Sequence, residues 1–276
     1  MKTCIVADSS ANLLHLEGVD FSVVPLKIIA GDWEYVDNSE LDVAAMLRQL
    51  RDYKGKSGTA CPSVGEWTDA FGEADWVFGV AVTSALSGCC GAGRAAAEQY
   101  MQTKPGSRVF ILDSLSAGPE LVLILEKYRE LILAGEHFED ICRKIIQYRE
   151  RTHLVFSLSS LNNFAKNGRV NPTLAAAVGL LGIRIVGCAS EEGELKPLHK
   201  CRGEKRSLSC MLDCMVEMGY SGGKARLYHS YNEGAALKLA EMIRERFPGS
   251  DVSIGQNRGL CCFYAEEGGL LAGFES

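Results

Sequence analysis

Residues Trp76–Gly88 read WVFGVAVTSALSG. The run from Trp76 to Val82 is too short for a helix and rich in Val and aromatic side chains, and it stops at a cluster of hydroxyls, Thr83, Ser84 and Ser87. That is the profile of a buried strand leaving a sheet into a tight turn. Three other segments repeat it. Thr3–Ala7 runs through Asp8 into Ser9-Ser10, Arg108–Leu112 through Asp113 into Ser114-Leu115-Ser116, and Leu154–Leu158 into Ser159-Ser160. Further short apolar runs lie at Ile183–Cys188, Ala225–Tyr228 and Val252–Ile254.

Helical patterns separate these runs. Leu121, Ile124, Leu125, Tyr128, Leu131 and Ile132 mark one face of a helix opened by Pro119, Ile141, Ile145 and Tyr148 a second, and Ala236, Leu239, Ala240, Ile243 and Phe247 a third that stops before Pro248-Gly249. Alternating strands and helices predict an α/β fold with largely parallel sheets. At 276 residues the chain exceeds the usual size of one domain. The expected boundary follows the helix that ends near Arg151, giving an N-terminal α/β domain over residues 1–151 and a C-terminal one over 152–276. Gly168–Leu181, rich in Ala and Gly, reads as a helix packed closely against the other domain or an apolar ligand.

Composition narrows the function. A net charge of -6 argues against nucleic-acid binding, which needs a basic face to displace counterions, and gives no attraction to anionic lipid headgroups. No apolar stretch is long enough to span a bilayer, and the apolar run after Met1 ends at Asp8, too soon for a signal peptide. A cytoplasmic protein without stable membrane insertion is expected. The eleven cysteines are then reduced thiols. No CxxC occurs; Cys210 and Cys214 lie one helical turn apart with Cys201 upstream, but no second ligand pair falls within motif distance. They read as small buried hydrophobes, and no metal is expected.

In an open α/β sheet ligands bind outside the carboxyl ends of the strands. Here that crevice would be lined by hydroxyls and helix N-terminal amides, which suit a carboxylate or phosphate. Single hydroxyls serve as helix caps, but the Thr83, Ser84, Ser87 cluster exceeds what capping needs. Ser116 sits in a near-match to the hydrolase elbow, with Ser114 where its first Gly belongs, and a trio of Ser116, Asp213 and His229 can be assembled on paper. No phosphate-loop motif occurs, and no acidic cluster suggests metal-bound phosphates. Hydroxyls without a base point to binding rather than turnover, and no catalytic residue or cofactor is expected.

Six segments resemble, in order, those of the DegV family: Ala7–Leu13, Val24-Pro25-Leu26, Thr59–Ser63, Thr83–Gly88, Leu112-Asp113-Ser114 and Asn167–Val170. The resemblance implies two α/β domains with a ligand tunnel between them, and a long-chain fatty acid whose carboxylate is presented to a separate fatty acid kinase. Carried over by position, Thr59 and Ser87 would hydrogen-bond the carboxylate, and Arg169 would lie near the head group or the kinase-facing surface. The family's late histidine corresponds to Asn257, which donates a hydrogen bond but cannot become cationic. With Ser84 from the hydroxyl cluster, the expected ligand-binding residues are Thr59, Ser84, Ser87, Arg169 and Asn257, and Asn257→His is expected to tighten binding. The alternatives are a serine hydrolase centred on Ser116 and a carrier of another small amphiphile.

Overall fold

A computed structural model describes residues 1–176, 178 and 182–276. The chain begins with β1 (Thr3–Asp8), β2 (Asp20–Val24), β3 (Lys27–Ala30), β4 (Trp33–Val36), α1 (Val43–Asp52), β5 (Ser57–Ala60), α2 (Val64–Phe71), β6 (Trp76–Ala81), α3 (Cys89–Thr103), β7 (Arg108–Asp113), α4 (Pro119–Leu133) and α5 (Phe138–Arg149). The rest comprises β8 (Thr152–Leu158), α6 (Asn162–Lys166), α7 (Pro172–Ala176), β9 (Ile183–Ala189), β10 (Leu195–Arg202), α8 (Glu204–Glu217), β11 (Lys224–His229), α9 (Glu233–Arg246), β12 (Asp251–Gln256), α10 (Gly259–Ala265) and β13 (Leu270–Glu275). All seven strands and all three helices read from the sequence are present. The Gly168–Leu181 helix is seen only as α7; residues 177 and 179–181 of that stretch lie outside the described residues.

The first sheet, in the order β2-β1-β6-β7, is parallel throughout. Its strands are apolar on both faces, as a sheet covered by helices on each side must be. Cys4 and Val6 of β1 point into the core with Trp67, Phe71 and Tyr100 of α2 and α3, while Ile5 and Ala7 point into the core with Leu121, Tyr128 and Ile141 of α4 and α5. Gly79 of β6 leaves room for Ile111, whose Cδ1 would stand 2.4 Å from an added Cβ. A small antiparallel sheet, β4-β3-β5, is pinned through Ile28 to Met46 of α1 and Phe263 of α10.

The second sheet departs from the parallel expectation. In the order β10-β9-β8-β13-β11-β12 only the β11–β12 pair is parallel. The cause lies in the connections. A parallel pair needs a crossover, and α9 supplies one between β11 and β12, whereas β9 and β10 are joined by the short turn Ser190–Glu194 and must run antiparallel. One face of this sheet is covered by α8 and α9 through Met211, Met215, Leu239 and Ile243. The opposite face presents Leu154, Phe156, Leu158 and Leu271. The N-terminus of α4 crosses β13 where Gly273 allows it, since a Cβ there would lie 2.5 Å from the Pro119 backbone. No helix among the described residues is long and apolar enough to cross a membrane.

Candidate ligand-binding cavity

The apolar face of the six-stranded sheet is where the cavity opens. In β8 the strand period of two places Leu154, Phe156 and Leu158 on one side, and Leu271 of β13 joins them. Gly187 of β9 leaves room for the Phe156 ring, from which an added Cβ would stand 2.5 Å. Leu260, Cys261, Tyr264 and Ala265 of α10 close a second side. From the first sheet come the loops at the carboxyl ends of β6 and β7, with Val82, Thr83, Leu86, Ser87, Ser116 and Ala117, and from β5 come Thr59 and Ala60. The enclosed volume is about 360 Å³, within the roughly 300–1,000 Å³ of small-molecule sites.

The polar atoms concentrate at the end built by β5, the Ser87 loop and the segment after α6. Thr59 Oγ1 and the Tyr264 hydroxyl lie 2.8 Å apart. Their mutual bond uses one of two hydroxyl protons, so the pair keeps one to donate. Ser87 Oγ accepts the Cys89 amide at 3.3 Å, which leaves its own O–H free. Arg169 Nε donates to the Leu86 carbonyl at 3.2 Å and Nη1 to the Asn167 carbonyl at 2.5 Å. The remaining N–H groups of this guanidinium, which lines the cavity, are uncommitted among the described residues. Burial pushes the Tyr264 hydroxyl above its ordinary range, while Thr59 and the Arg169 charge pull it back. Ser116 Oγ is buried in the lining without a hydrogen-bond partner among the described residues.

Two buried carboxylates hold the walls. Asp37 accepts the Gly259 amide at 3.0 Å and the Leu260 amide at 2.9 Å, fixing the start of α10 and therefore Tyr264. Gly259 is required there, because a Cβ would meet Leu41 at 2.6 Å and Asp37 at 2.7 Å. Asp8 accepts the Val82 amide at 2.6 Å and the Ser10 amide at 2.9 Å, tying β1 to the loop that leads to Ser87. Burial raises both carboxyl groups and the amide donors counter it. Over the mouth lies the turn between β9 and β10. Gly193, at φ +81°, rests so closely on the Thr83 loop that a Cβ would fall 2.1 Å from Thr83 Oγ1.

Of the five residues expected to bind ligand, Thr59, Ser87 and Arg169 line one cavity. Ser84 does not; it is exposed, and its amide donates to Asp113 Oδ1 at 3.1 Å. Asn257 is also absent from the lining. It is buried between Asn12, which donates to its Oδ1 at 3.3 Å, and Ser230, which accepts from its Nδ2 at 3.1 Å. Tyr264 escaped sequence reasoning because its only signal was a tyrosine in an apolar helix, and its partner Thr59 lies 205 positions away. The hydrolase trio is not assembled. Asp213 faces solvent in an ion pair with Arg246, His229 Nδ1 accepts from the Asn232 amide, and no hydrogen bond joins Ser116, Asp213 and His229 among the described residues.

A family model described as "Uncharacterised protein, DegV family" matches residues 2–273. A DegV domain-containing protein of Streptococcus pneumoniae is 40% identical over 275 residues, 98% of each chain. The crystal structure of a DegV family protein from Eubacterium eligens, loaded with heptadecanoic acid, superposes with a TM-score of 0.98 at 39% identity over 99% of both chains. The Streptococcus pneumoniae Fatty Acid Kinase (Fak) B3 protein, loaded with linoleic acid, does so with a TM-score of 0.98 at 40% identity, over 100% of this chain and 99% of that one.

Proposed function

The chain belongs to the DegV family, and from that premise we propose that it is a cytoplasmic carrier that buries a long-chain fatty acid and presents the carboxylate to a separate fatty acid kinase. The observation that carries this reading is the division of one cavity into an apolar body, with Leu154, Phe156, Leu158 and Leu271, and a polar end with Thr59, Ser87, Tyr264 and Arg169. A carboxylate taken out of water needs charge or several donors to offset its desolvation. The guanidinium and the two free hydroxyl protons supply both, and the apolar walls suit an alkyl chain. The two relatives loaded with fatty acids support the ligand class, and the name of the second supports a kinase as partner. In this reading residues 1–151 form the domain that carries the head-group loops and 152–276 the domain that covers the acyl chain. The protein itself turns nothing over and uses no cofactor, and phosphorylation of the bound acid falls to the partner.

Organic extraction of the purified protein followed by mass spectrometry tests the proposal. One long-chain fatty acid per chain is expected, and a stoichiometric lipid without a carboxylate sinks it. Hydrogen bonds to a charged group contribute about 1.5–3 kcal/mol each. Thr59→Ala and Ser87→Ala should therefore each weaken binding of a fluorescent fatty acid by roughly tenfold or more. If both variants bind normally, the carboxylate lies elsewhere.

A further inference from the structure

On the side of the six-stranded sheet covered by α8, opposite the cavity, the edge strand β10 and helix α8 bring a second group of ligating side chains together. The imidazole of His199 and the thiols of Cys210 and Cys214 place donor atoms within 4.8 Å of one another. Cys210 and Cys214 lie one turn apart on the same face of α8, as the helical period requires. His199 and Cys201 are two apart on β10 and therefore share a face, and the Cys201 thiol adjoins that of Cys210. His199 is exposed, Cys210 half-buried and Cys214 buried, so the group is open to solvent on the imidazole side and closed on the other.

We propose that His199, Cys210 and Cys214 form a binding site for a thiophilic d10 cation, with Zn2+ as its reference ion. One imidazole and two thiolates are a donor set suited to such an ion. At Zn–S of about 2.3 Å and Zn–N of about 2.0–2.1 Å, tetrahedral donors stand roughly 3.4–3.8 Å apart. The donors need to close by no more than about 1.4 Å, which rotation of the thiols and of the exposed imidazole provides. Binding converts two thiols to thiolates and releases two protons to solvent, while the neutral imidazole donates its lone pair without losing a proton. Cys201, buried beside Cys210, is the adjacent further sulfur. Burial and neighbouring thiols hold Cys210 above the ordinary thiol range, and burial does the same for Cys214, so the ion must displace firmly held protons. A motif search within one local segment does not reach this group, because the third donor comes from the neighbouring strand.

The test is a Co2+ titration of the full-length chain with its thiols kept reduced, followed by displacement with Zn2+. One equivalent should produce the visible d–d bands and thiolate charge transfer of tetrahedral cobalt, and Zn2+ should bleach them. His199→Ala, at an exposed position, should weaken the ion by at least about tenfold. Cys210→Ser with Cys214→Ser should abolish the charge-transfer band. Should that double variant fail to fold, His199→Cys serves instead: it replaces nitrogen by sulfur and must intensify the charge transfer. Cys142→Ser, on α5, should change nothing. Absence of the bands at one equivalent, bands indifferent to His199→Ala, or bands lost in Cys142→Ser would each overturn the site.

Discussion

Glu120 is a buried side chain whose charge state bears directly on stability. Burial pushes its carboxyl up to about 7 against hydrogen bonding from Thr152 and the charge of Arg149. The geometry agrees. The single hydroxyl proton of Thr152 faces two acceptors, Glu120 Oε1 at 2.8 Å and the Arg149 carbonyl at 3.1 Å. A neutral Glu120 resolves the conflict by donating to Thr152, which then donates to Arg149. Because the folded value lies above the unfolded one, the native state holds the extra proton, and stability falls as pH rises from about 4.5 to about 7. That interval corresponds to about 3 kcal/mol. Glu120→Gln keeps the donor and removes the titration, so its stability relative to the parent should grow by about that amount between about pH 4 and 8, a range bracketing the interval. Denaturant unfolding across that range checks it, and parallel curves for the two proteins would refute it. Asn257 calls for the opposite expectation from its family position. Held between Asn12 and Ser230 and outside the cavity lining, it has no direct route to a carboxylate. Asn257→His should bind fatty acid with no gain in affinity near pH 6, where an ordinary imidazole starts to charge.

Among the elements, α10 carries Tyr264 and is anchored by Asp37 through two amide bonds. Replacing the carboxylate by an amide turns one acceptor into a donor that confronts a backbone N–H. Asp37→Asn should therefore cost about 1.5–3 kcal/mol of stability and loosen the Thr59–Tyr264 pair, so that fatty-acid affinity falls along with the unfolding midpoint. Unchanged affinity in a destabilised variant would show that α10 does not position the head-group end. How much of this was readable follows from the same elements. Strands with unbroken apolar runs, such as β1 and β6, declare themselves because both faces are buried. Edge strand β10, LKPLHKCR, carries a proline and mostly exposed residues and gives no such pattern. Without it, and without β13, the second sheet could not be seen as mixed. The same held for the site. Thr59, Ser87 and Arg169 were reachable through motifs, whereas Tyr264, Asp37 and Gly193 matter through contacts with distant segments that no local spacing encodes.

At the scale of the whole molecule, the cavity is a gap in a core shared by two sheets. Its walls come from strands before Asp113 and strands after Thr152, with α4 packed between the two sheets. A ligand that fills the gap and binds only the folded state adds stability by mass action, about 2.7 kcal/mol at a hundred times its Kd. For a chain of 276 residues that raises Tm by roughly 5–10 °C, taking about 2–4 °C per kcal/mol. Delipidated protein should gain that shift when a long-chain fatty acid is added back. A short-chain acid, which reaches the polar end but leaves the apolar walls bare, should give much less. Equal shifts from both would mean that the alkyl chain is not buried here.

Cys61 stands apart from most of the other thiols. It is exposed, lines the mouth of the cavity and lies over Gly88, where an added Cβ would be 3.5 Å from its sulfur. Cys89, Cys90, Cys142, Cys261 and Cys262 are all pushed by burial toward the unreactive protonated form. A small alkylating dye will therefore find Cys61 ahead of these five. Because that sulfur borders the Ser87 loop, bound acid is expected to slow its labelling, and equal rates for loaded and delipidated protein would refute this. On that expectation the speed at which Cys61 takes up label becomes a gauge of cargo, distinguishing loaded from empty protein without a tag.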